Sequence, residues 1–430
     1  MKVVSSVFGL PKRSVFKDLE VVSSGGSVML RHGGKLYPAS QSSPVLAEVL
    51  ARRDLAQKLP SDFFGPTPPN IFIGEEGYPG VFGGPLLALE GNWAGSEGNG
   101  ALKAGILDDP TRWSSLSYAD LVRMRLQLVR GKKRISVREP DSRFATELQD
   151  SVLSTTPVDV EASFSKPPSF SMYFSPVAQP SGPSGMMERM ELAGNPSIPA
   201  KIDSVIGEKL KVATAVPELL GHGFGYYYLQ KLLSAGVLGV QRRLVPTKWA
   251  ITATDDIIAK SVLQRVRDLP EVGEFSIYSN TFLSNHFEIL LIPGKWEFEQ
   301  FEAWAPATPW AAMGEGGIIQ EHEPFEGRTT YAENEGGGYY AGRLACAEAL
   351  DALNRQARVV VFREIGAGYE VPLGVWQVRE NVRNAFRNSP AKCATLQEAL
   401  GVLGSRLERP IRHYVSKSVI LSQKRMGEWF

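Results

Sequence analysis

The sequence predicts a mixed α+β fold in which irregular sheets of several strands are flanked by helices. Segments whose apolar residues recur at helical spacing, such as 255–270 and 338–356, are interspersed with strand-sized apolar runs, such as 357–365. These segments do not follow the regular strand–helix–strand order of a parallel α/β fold, and no internal repeat of fixed period is present. We therefore expect an α+β body that ends in a helix and an extended tail.

Residues 1–150 are predicted to form an N-terminal α+β region. Short strands and turns are expected at its start, and residues 47–59 have the apolar spacing of an amphipathic helix. A second helix is predicted over 117–134, because Ser117 can cap its first turn and Gly131 can end it.

The rest of the chain divides by composition. Residues 151–199 are rich in proline and serine, which predicts an extended connector. Residues 200–390 carry regular helical and strand-like patterns and are predicted to form a C-terminal α/β domain. A helix and a basic linker are expected over 391–422, followed by a separate terminal motif over 423–430.

The composition is that of a folded soluble protein, with 43% hydrophobic and 22% charged residues. The formal net charge is +1, so any contact with nucleic acid must come from local basic patches. Cys346 and Cys393 are the only cysteines, which excludes a disulfide scaffold and a cysteine-rich zinc site. The N-terminus does not resemble a signal peptide and the apolar runs are too short to span a bilayer, so we expect a cytoplasmic protein without membrane contact.

The terminal octapeptide QKRMGEWF places two large aromatic residues side by side. In one helical turn, Met426, Trp429 and Phe430 lie on a single face, and the amide of Gln423 can reach a neighbouring polar group. This pattern, Gln-x-x-aliphatic-x-x-aromatic-aromatic, resembles the PCNA-interacting peptide that docks repair and replication proteins on the sliding clamp. The alternative is that the tail packs on its own domain.

Two basic clusters are candidates for contact with DNA. Arg242, Arg243 and Lys248 can neutralise phosphates while Trp249 stacks on a base, although Trp249 also fits a core position. The second cluster lies within 123–134, at the predicted end of a helix, where its cations would also complement the helix dipole.

Groups at the start of the 338–356 helix and at the end of the 357–365 strand suggest a candidate enzyme site. The glycines of 336–338 precede the helix and could hold a phosphate with their amides, beside the cations Arg343 and Arg363. Glu364 and His286 are candidate catalytic groups. A structural ion-pair network is the alternative for Glu364, and a core histidine satisfied by a backbone carbonyl is the favoured alternative for His286. We assign no metal and no cofactor.

Five blocks of sequence together resemble the archaeal Nre proteins. They are FFGPTPPNIFIGEEGYPGVFGGPL (63–86), LDDPTRWSSLSYADLVRMRLQLVRG (107–131), LLSAGVLGVQRRLVPTKWAITATDD (232–256), GGGYYAGRLA (336–345) and ARVVVFREIGAGYEVPLGVWQVRE (357–380). The resemblance implies a DNA repair protein with a clamp-binding peptide at its C-terminus. Two departures stand out: the family's cysteine-rich, zinc-binding type of N-terminal segment is not found in this sequence, and Glu75-Glu76 occupy positions where relatives usually carry a basic residue.

The resulting expectation is a DNA repair factor recruited by docking residues 423–430 on the PCNA sliding clamp, with DNA as a second partner. One alternative is an enzyme that processes a nucleotide or a DNA end, with its site around Gly336–Gly338 and Glu364. A second alternative is an adaptor without catalytic activity.

Overall fold

The computed structural model describes residues 19–24, 27–32, 35–38, 59–88, 106–169, 171–305, 317–369 and 371–422. They form two compact units. The N-terminal unit contains the described residues up to Ile257 together with Val371–Gly374, and the C-terminal unit contains 258–369 and 375–422. No helix in these ranges is long and apolar enough to cross a membrane.

The N-terminal unit is built from two sheets and several helices. In chain order its elements are β1 (Leu19–Ser24), β2 (Ser27–His32), β3 (Lys35–Pro38), β4 (Asp62–Thr67), β5 (Ile71–Ile73), β6 (Gly80–Ala88), α1 (Tyr118–Arg125), β7 (Leu128–Ser136), α2 (Arg143–Leu153), β8 (Val158–Phe164), β9 (Ser171–Phe174), β10 (Ser184–Leu192), α3 (Ala200–Gly207), α4 (Val212–Gly221), α5 (Tyr226–Ser234) and α6 (Thr247–Val266). The residues of α6 from Ile258 onward belong to the C-terminal unit.

One sheet has the order β3-β2-β1-β9 and the other the order β4-β8-β10-β7-β6-β5. All pairings in the two sheets are antiparallel except that of β7 with β10. The inner face of the larger sheet buries apolar side chains at alternate positions, such as Val158, Val160 and Ala162 of β8. This alternation is what a sheet with one solvated face requires.

The helix predicted over 117–134 ends nine residues early, at Arg125. Ser117 caps it as expected, since its side chain accepts a hydrogen bond from the amide of Asp120. Gly131 does not end a helix but lies inside β7, where it pairs with Gly185 of β10. Pairing with β6 on one side, and with β10 at residues 130–132 on the other, outweighs the helical spacing of the apolar residues, which continues past Arg125.

The proline- and serine-rich segment 151–199, expected to be a connector, contains the strands β8, β9 and β10. β8 shows a strict alternation of buried and exposed positions, and it joins β4 to β10. The prolines of segment 151–199 fall between the strands. A residue without an amide hydrogen is tolerated there, because it removes no hydrogen bond from the sheet. The helix predicted over 47–59 lies almost entirely outside the described residues.

The C-terminal unit is a single six-stranded sheet with helices on both faces. Its elements are β11 (Phe275–Phe282), β12 (Asn285–Ile292), β13 (Glu297–Trp304), β14 (Ile318–Glu323), α7 (Gly337–Leu353), β15 (Arg358–Ile365), α8 (Trp376–Ala385), β16 (Ala391–Cys393), α9 (Leu396–Arg406), α10 (Ile411–Val415) and α11 (Val419–Ser422). The strand order is β14-β13-β15-β12-β11-β16, and only β13 and β15 run parallel. The predicted α+β class is therefore confirmed.

The two faces of this sheet are covered by different helices. α7 and α8 pack on one face, where Gly342 of α7 approaches the side chain of Gln300. The other face carries the apolar side chains of Leu290, Phe301 and Phe362, which pack against α9, α10 and α11 through residues such as Tyr414. We call these the α7 face and the C-terminal face. Every residue of β15 is buried, because both sides of this central strand are covered.

Candidate functional site

Arg363 and Glu364 are neighbours in β15, and their side chains point to opposite faces of the sheet. Arg363 pairs with Glu302 on the α7 face, beside Gly338. Glu364 lies on the C-terminal face and contacts Tyr414 of α10. The predicted pocket joining Glu364 to the glycines of 336–338 is therefore not formed, because the sheet separates the two groups.

Glu364 holds the turn that leads from α9 to α10. Its carboxylate accepts hydrogen bonds from the backbone amides of Glu408 at 2.7 Å and Arg409 at 2.9 Å, and from the Tyr414 hydroxyl at 2.8 Å. Burial, followed by the charge of Glu364, raises the pKa of Tyr414, so this hydroxyl stays a donor. These contacts favour a structural role for Glu364 over a catalytic one.

Glu299 provides a second anchor on the same face. Its carboxylate accepts hydrogen bonds from the amides of Val419 at 2.6 Å and Ile420 at 3.3 Å, in the first turn of α11. The Ser418 hydroxyl donates to it as well. A carboxylate at the amino end of a helix satisfies amides that have no partner within the helix. Together, Glu364 and Glu299 fix residues 408–422 on the sheet, and we call this stretch the C-terminal strap.

His286 lies on the same face as Glu364 and is its cross-strand partner in register. Its Nδ1 is 2.7 Å from the Thr281 hydroxyl oxygen, and its Nε2 is 3.1 Å from Oε1 of Glu288. Glu288 is fully buried and also accepts a hydrogen bond from Ser279 at 2.6 Å. The Thr281 hydroxyl of the neighbouring strand thus holds the imidazole at Nδ1, while the approach of Nε2 to Glu288 does not have the geometry of a hydrogen bond.

The α7 face carries buried ion pairs in place of a phosphate site. Asn285 accepts hydrogen bonds from Arg363 at 3.0 and 2.8 Å, on the side of the guanidinium away from Glu302. The Arg343 guanidinium donates to Glu323 at 3.0 Å, and its side chain is 2% exposed. These pairings favour the structural alternative for both arginines, because a buried guanidinium with a carboxylate partner is already neutralised.

Gln300 and Glu335 form a side-chain pair on this face. The Gln300 amide donates to one carboxylate oxygen of Glu335 at 2.7 Å, while the second oxygen of Glu335 and the Gln300 carbonyl oxygen have no hydrogen-bond partner. Burial, followed by the charges of Glu302 and Glu321, raises the pKa of Glu335 well above its usual value. A protonated Glu335 carboxyl has an O–H donor, which the carboxylate lacks.

The predicted basic cluster of the N-terminal unit is largely engaged within the protein. Arg242 donates to Gln149 at 2.6 Å, and Lys248 forms an ion pair with Glu75. The Trp249 indole donates to Glu75 at 3.1 Å and packs against the ring of Tyr78. Arg243 is half-buried.

In the second cluster, Arg125 is almost fully buried. Its guanidinium lies 3.6 Å from Asp108, which also receives Lys231 at 2.9 Å. Burial lowers the pKa of Arg125 to about 10, against the opposing effect of Asp108. This member of the cluster is a core residue.

Sequence reasoning missed the two carboxylates Glu299 and Glu302 on β13. The available signal was the run EFEQFEAW, a strand-sized segment that contains three glutamates among aromatic residues. No group of three or more His, Cys, Asp or Glu side chains within the described ranges is arranged to hold a metal ion. The predicted docking residues Gln423, Met426, Trp429 and Phe430 lie outside the described residues.

The fold and the buried polar contacts of both units define a protein of two α+β units whose polar core groups serve mainly to hold the structure together. Matches to known protein families identify the class of the protein more closely. The model of the archaeal Nre N-terminal domain matches residues 39–311, and the model of the archaeal Nre C-terminal domain matches residues 323–428. The chain belongs to the archaeal Nre family, as the sequence blocks predicted.

Characterised relatives match over most of their length. The chain is 34% identical to the DNA repair protein NreB of Archaeoglobus fulgidus, over 85% of this chain and 90% of the relative. It is 34% identical to the DNA repair protein NreA of the same organism, over 90% and 96%. The identity to the DNA repair protein NreA of Haloferax volcanii is 33%, over 78% and 81%. No solved structure matches the chain.

Proposed function

We propose that this protein is a DNA repair factor that reaches its site of action by docking residues 423–430 on the PCNA sliding clamp. The repair role is supported by the names of the relatives, which match over at least 81% of their length. The docking is carried by one observation, the spacing of Gln423, Met426, Trp429 and Phe430 in the terminal octapeptide. The family's C-terminal model runs to residue 428 and so takes in the first two of these positions.

The C-terminal strap supports this role physically. The described chain ends at Ser422, whose hydroxyl lies 3.4 Å from the Val419 carbonyl oxygen and which closes the helix that Glu299 holds. Gln423 therefore follows directly on a segment that is fixed to the C-terminal unit. A docking peptide attached at a fixed point raises the effective concentration of the body at the clamp, so the body itself needs only weak affinity for DNA. The net charge of +1 agrees with weak intrinsic binding.

The test is binding of the full-length protein to purified PCNA, measured by surface plasmon resonance. The variant carrying Trp429→Ala and Phe430→Ala is expected to lose at least about thirtyfold in affinity, because buried aromatic anchors contribute about 2 kcal/mol or more each. The matched control is Lys424→Ala with Glu428→Ala, which removes two side chains from positions of the motif that do not face the clamp.

The control is expected to bind with an affinity within about threefold of the parent protein. Unchanged clamp binding by the Trp429 and Phe430 double variant would contradict the proposal. Equal losses in both double variants would assign the effect to the general properties of the tail and not to the aromatic anchors.

A further inference from the structure

Two arginines on β7 lie on the same face of the six-stranded sheet of the N-terminal unit, four positions apart. Arg130 is buried, and its guanidinium carbon lies 4.7 Å from the ring centre of Phe72 and 4.6 Å from that of Tyr173. Both rings contact one planar cation, which is a favourable arrangement for a guanidinium. This site is complete within the protein.

Arg134 forms half of the same arrangement. It is exposed, and its guanidinium carbon lies 5.5 Å from the ring centre of Phe82, its cross-strand partner in register. Within the described part of the chain it forms no ion pair. Among the described residues, one ring contacts the Arg134 guanidinium, whereas two contact that of Arg130. The site at Arg134 thus resembles the one at Arg130 with one of its two aromatic rings missing.

The turn beside Arg134 positions its guanidinium. A Cβ atom on Gly77 would lie 3.1 Å from the Arg134 guanidinium, and one on Gly80 would lie 3.3 Å from it. Gly77 also has a φ of +79°, which disfavours any other residue. The two glycines thus let the cation lie directly against the turn, which restricts its position before any ligand binds.

A second exposed ring lies at this turn. Tyr78 and Phe82 are each 39% exposed, and they are among the few large apolar side chains of the described residues that face solvent. The ring of Tyr78 is supported from behind by Trp249, with 5.2 Å between ring centres. The neighbouring Glu75 is neutralised by Lys248 and accepts a hydrogen bond from the Trp249 indole. Of the two acidic residues Glu75 and Glu76, only Glu76 is exposed and forms no ion pair with another described residue.

We propose that Phe82, Arg134 and Tyr78 form a binding site for unpaired bases of single-stranded DNA. The open side of the Arg134 guanidinium and the two rings provide planar surfaces on which successive bases stack, and the positive charge of Arg134 attracts the phosphodiester backbone. Duplex DNA does not offer the faces of its internal bases, so the site selects single strands. The inference rests on the proposed function in one respect, that the protein acts on DNA, and it is independent of the clamp.

Fluorescence anisotropy of a labelled oligothymidylate tests the site with the full-length protein and no clamp present. An oligomer of about 16 nucleotides is long enough for one site. Phe82→Leu keeps the apolar surface and removes the ring, and Arg134→Gln removes the planar cation. Each is expected to lower affinity at least about fivefold, since stacking of one base contributes about 1–3 kcal/mol.

Arg189→Gln is the matched control. Arg189 lies on β10 of the same sheet, its side chain is 59% exposed, and it is paired with Glu191, so its loss removes the same charge without removing a stacking surface. We expect its affinity to stay within about twofold of the parent protein. The Trp429 and Phe430 double variant is expected to bind the oligomer normally, which separates this proposal from clamp docking.

Three results would overturn the proposal: no binding of the oligomer by the parent protein, parental affinity in the Phe82→Leu variant, or equal losses in Arg134→Gln and Arg189→Gln. The affected side chains are exposed, so the thermal unfolding midpoint of each variant is expected to match that of the parent. That measurement separates loss of binding from loss of folded protein.

Discussion

The hydroxyl of Tyr414 donates a hydrogen bond of 2.8 Å to the carboxylate of Glu364, across the interface between α10 and the central strand of the C-terminal sheet. The same carboxylate accepts two backbone amides of the turn before α10. A group that the sequence offered as a candidate catalytic residue thus fixes the strap that precedes residues 423–430.

Tyr414→Phe is expected to loosen the C-terminal strap. The change removes the hydroxyl and leaves a buried carboxylate with one donor fewer, at a cost of about 1–3 kcal/mol. Hydrogen–deuterium exchange of residues 408–422 should accelerate, and the free energy of unfolding should fall. Tyr228→Phe is the control, because Tyr228 donates a comparable bond of 2.6 Å to Leu153 in the N-terminal unit. Exchange in the strap that is equally fast in both variants would contradict a local role for Tyr414.

The raised pKa of Glu335 predicts that stability falls as the pH rises. Its unfolded-state pKa is near 4.5, and burial raises the folded-state value well above that. The folded protein therefore retains a proton that the unfolded chain has lost, and this contribution is present below pH 4.5 and lost as the pH rises through the folded-state pKa.

Glu335→Gln should remove this dependence, since an amide pairs with Gln300 without a titratable proton. Between the two pKa values, the free energy of unfolding of the parent protein is expected to change by up to about 1.4 kcal/mol per pH unit more steeply than that of the variant. Urea unfolding at a series of pH values measures both slopes. Glu274→Gln, which alters an exposed carboxylate of the same unit, should keep the parental slope. Identical slopes for Glu335→Gln and the parent would refute the assignment.

Two helical glycines should respond to alanine in opposite directions. A Cβ on Gly342 would lie 2.0 Å from the side-chain amide oxygen of Gln300, a buried group whose nitrogen donates a hydrogen bond to Glu335. Gly342→Ala should therefore destabilise the protein by about 1–3 kcal/mol, as overpacking does. Gly401 of α9 has no atom within 4 Å of the added Cβ. Gly401→Ala should stabilise by about 0.5–1 kcal/mol through helix propensity. Chemical denaturation decides the signs, and a stabilising Gly342→Ala would contradict the close packing of α7 on the sheet.

Asp108 is expected to be among the more sensitive positions of the N-terminal unit. Asp108→Asn leaves Arg125 and Lys231 without the carboxylate between them, and breaking a buried ion pair costs about 3–5 kcal/mol. Asp120→Asn weakens an exposed pair with Arg123 and should cost less than about 1 kcal/mol. Thermal unfolding of the two variants makes the comparison. Similar midpoints would show that Asp108 and Arg125 are not desolvated in solution.

Local patterns predicted α7 and β15 of the C-terminal unit, whereas β13, β14, β16 and the short helices α10 and α11 were not predicted. The run of valines in 357–365 indicated a buried strand, and β15 is buried throughout. The same run could not indicate which face each charged residue meets, because a strand covered on both sides has no polar face to mark its orientation. Placing Arg363 and Glu364 in one pocket neglects the alternation of side chains along a strand, which puts neighbouring residues on opposite faces.

The features that the sequence did not predict depend on contacts between residues far apart in the chain. The carboxylate of Glu299 meets the amide of Val419, 120 positions away in the chain, and no spacing rule links the two. The helical pattern past Arg125 was equally sound locally, yet β6 and β10 pair with that segment and make it a strand. Capping by Ser117 was predictable because it depends only on residues three positions away.

The C-terminal strap covers one face of the sheet. A truncated protein therefore keeps its core covered only if the strap is retained. A chain stopped after Arg406 would lack Tyr414 and Ile420 and would leave Phe301 and Phe362 uncovered, which produces an insoluble or degraded protein. The phenotype of such a deletion would reflect loss of the whole protein. A stop codon immediately after Ser422 removes only residues 423–430 and keeps the strap, so this allele reports on the terminal octapeptide alone.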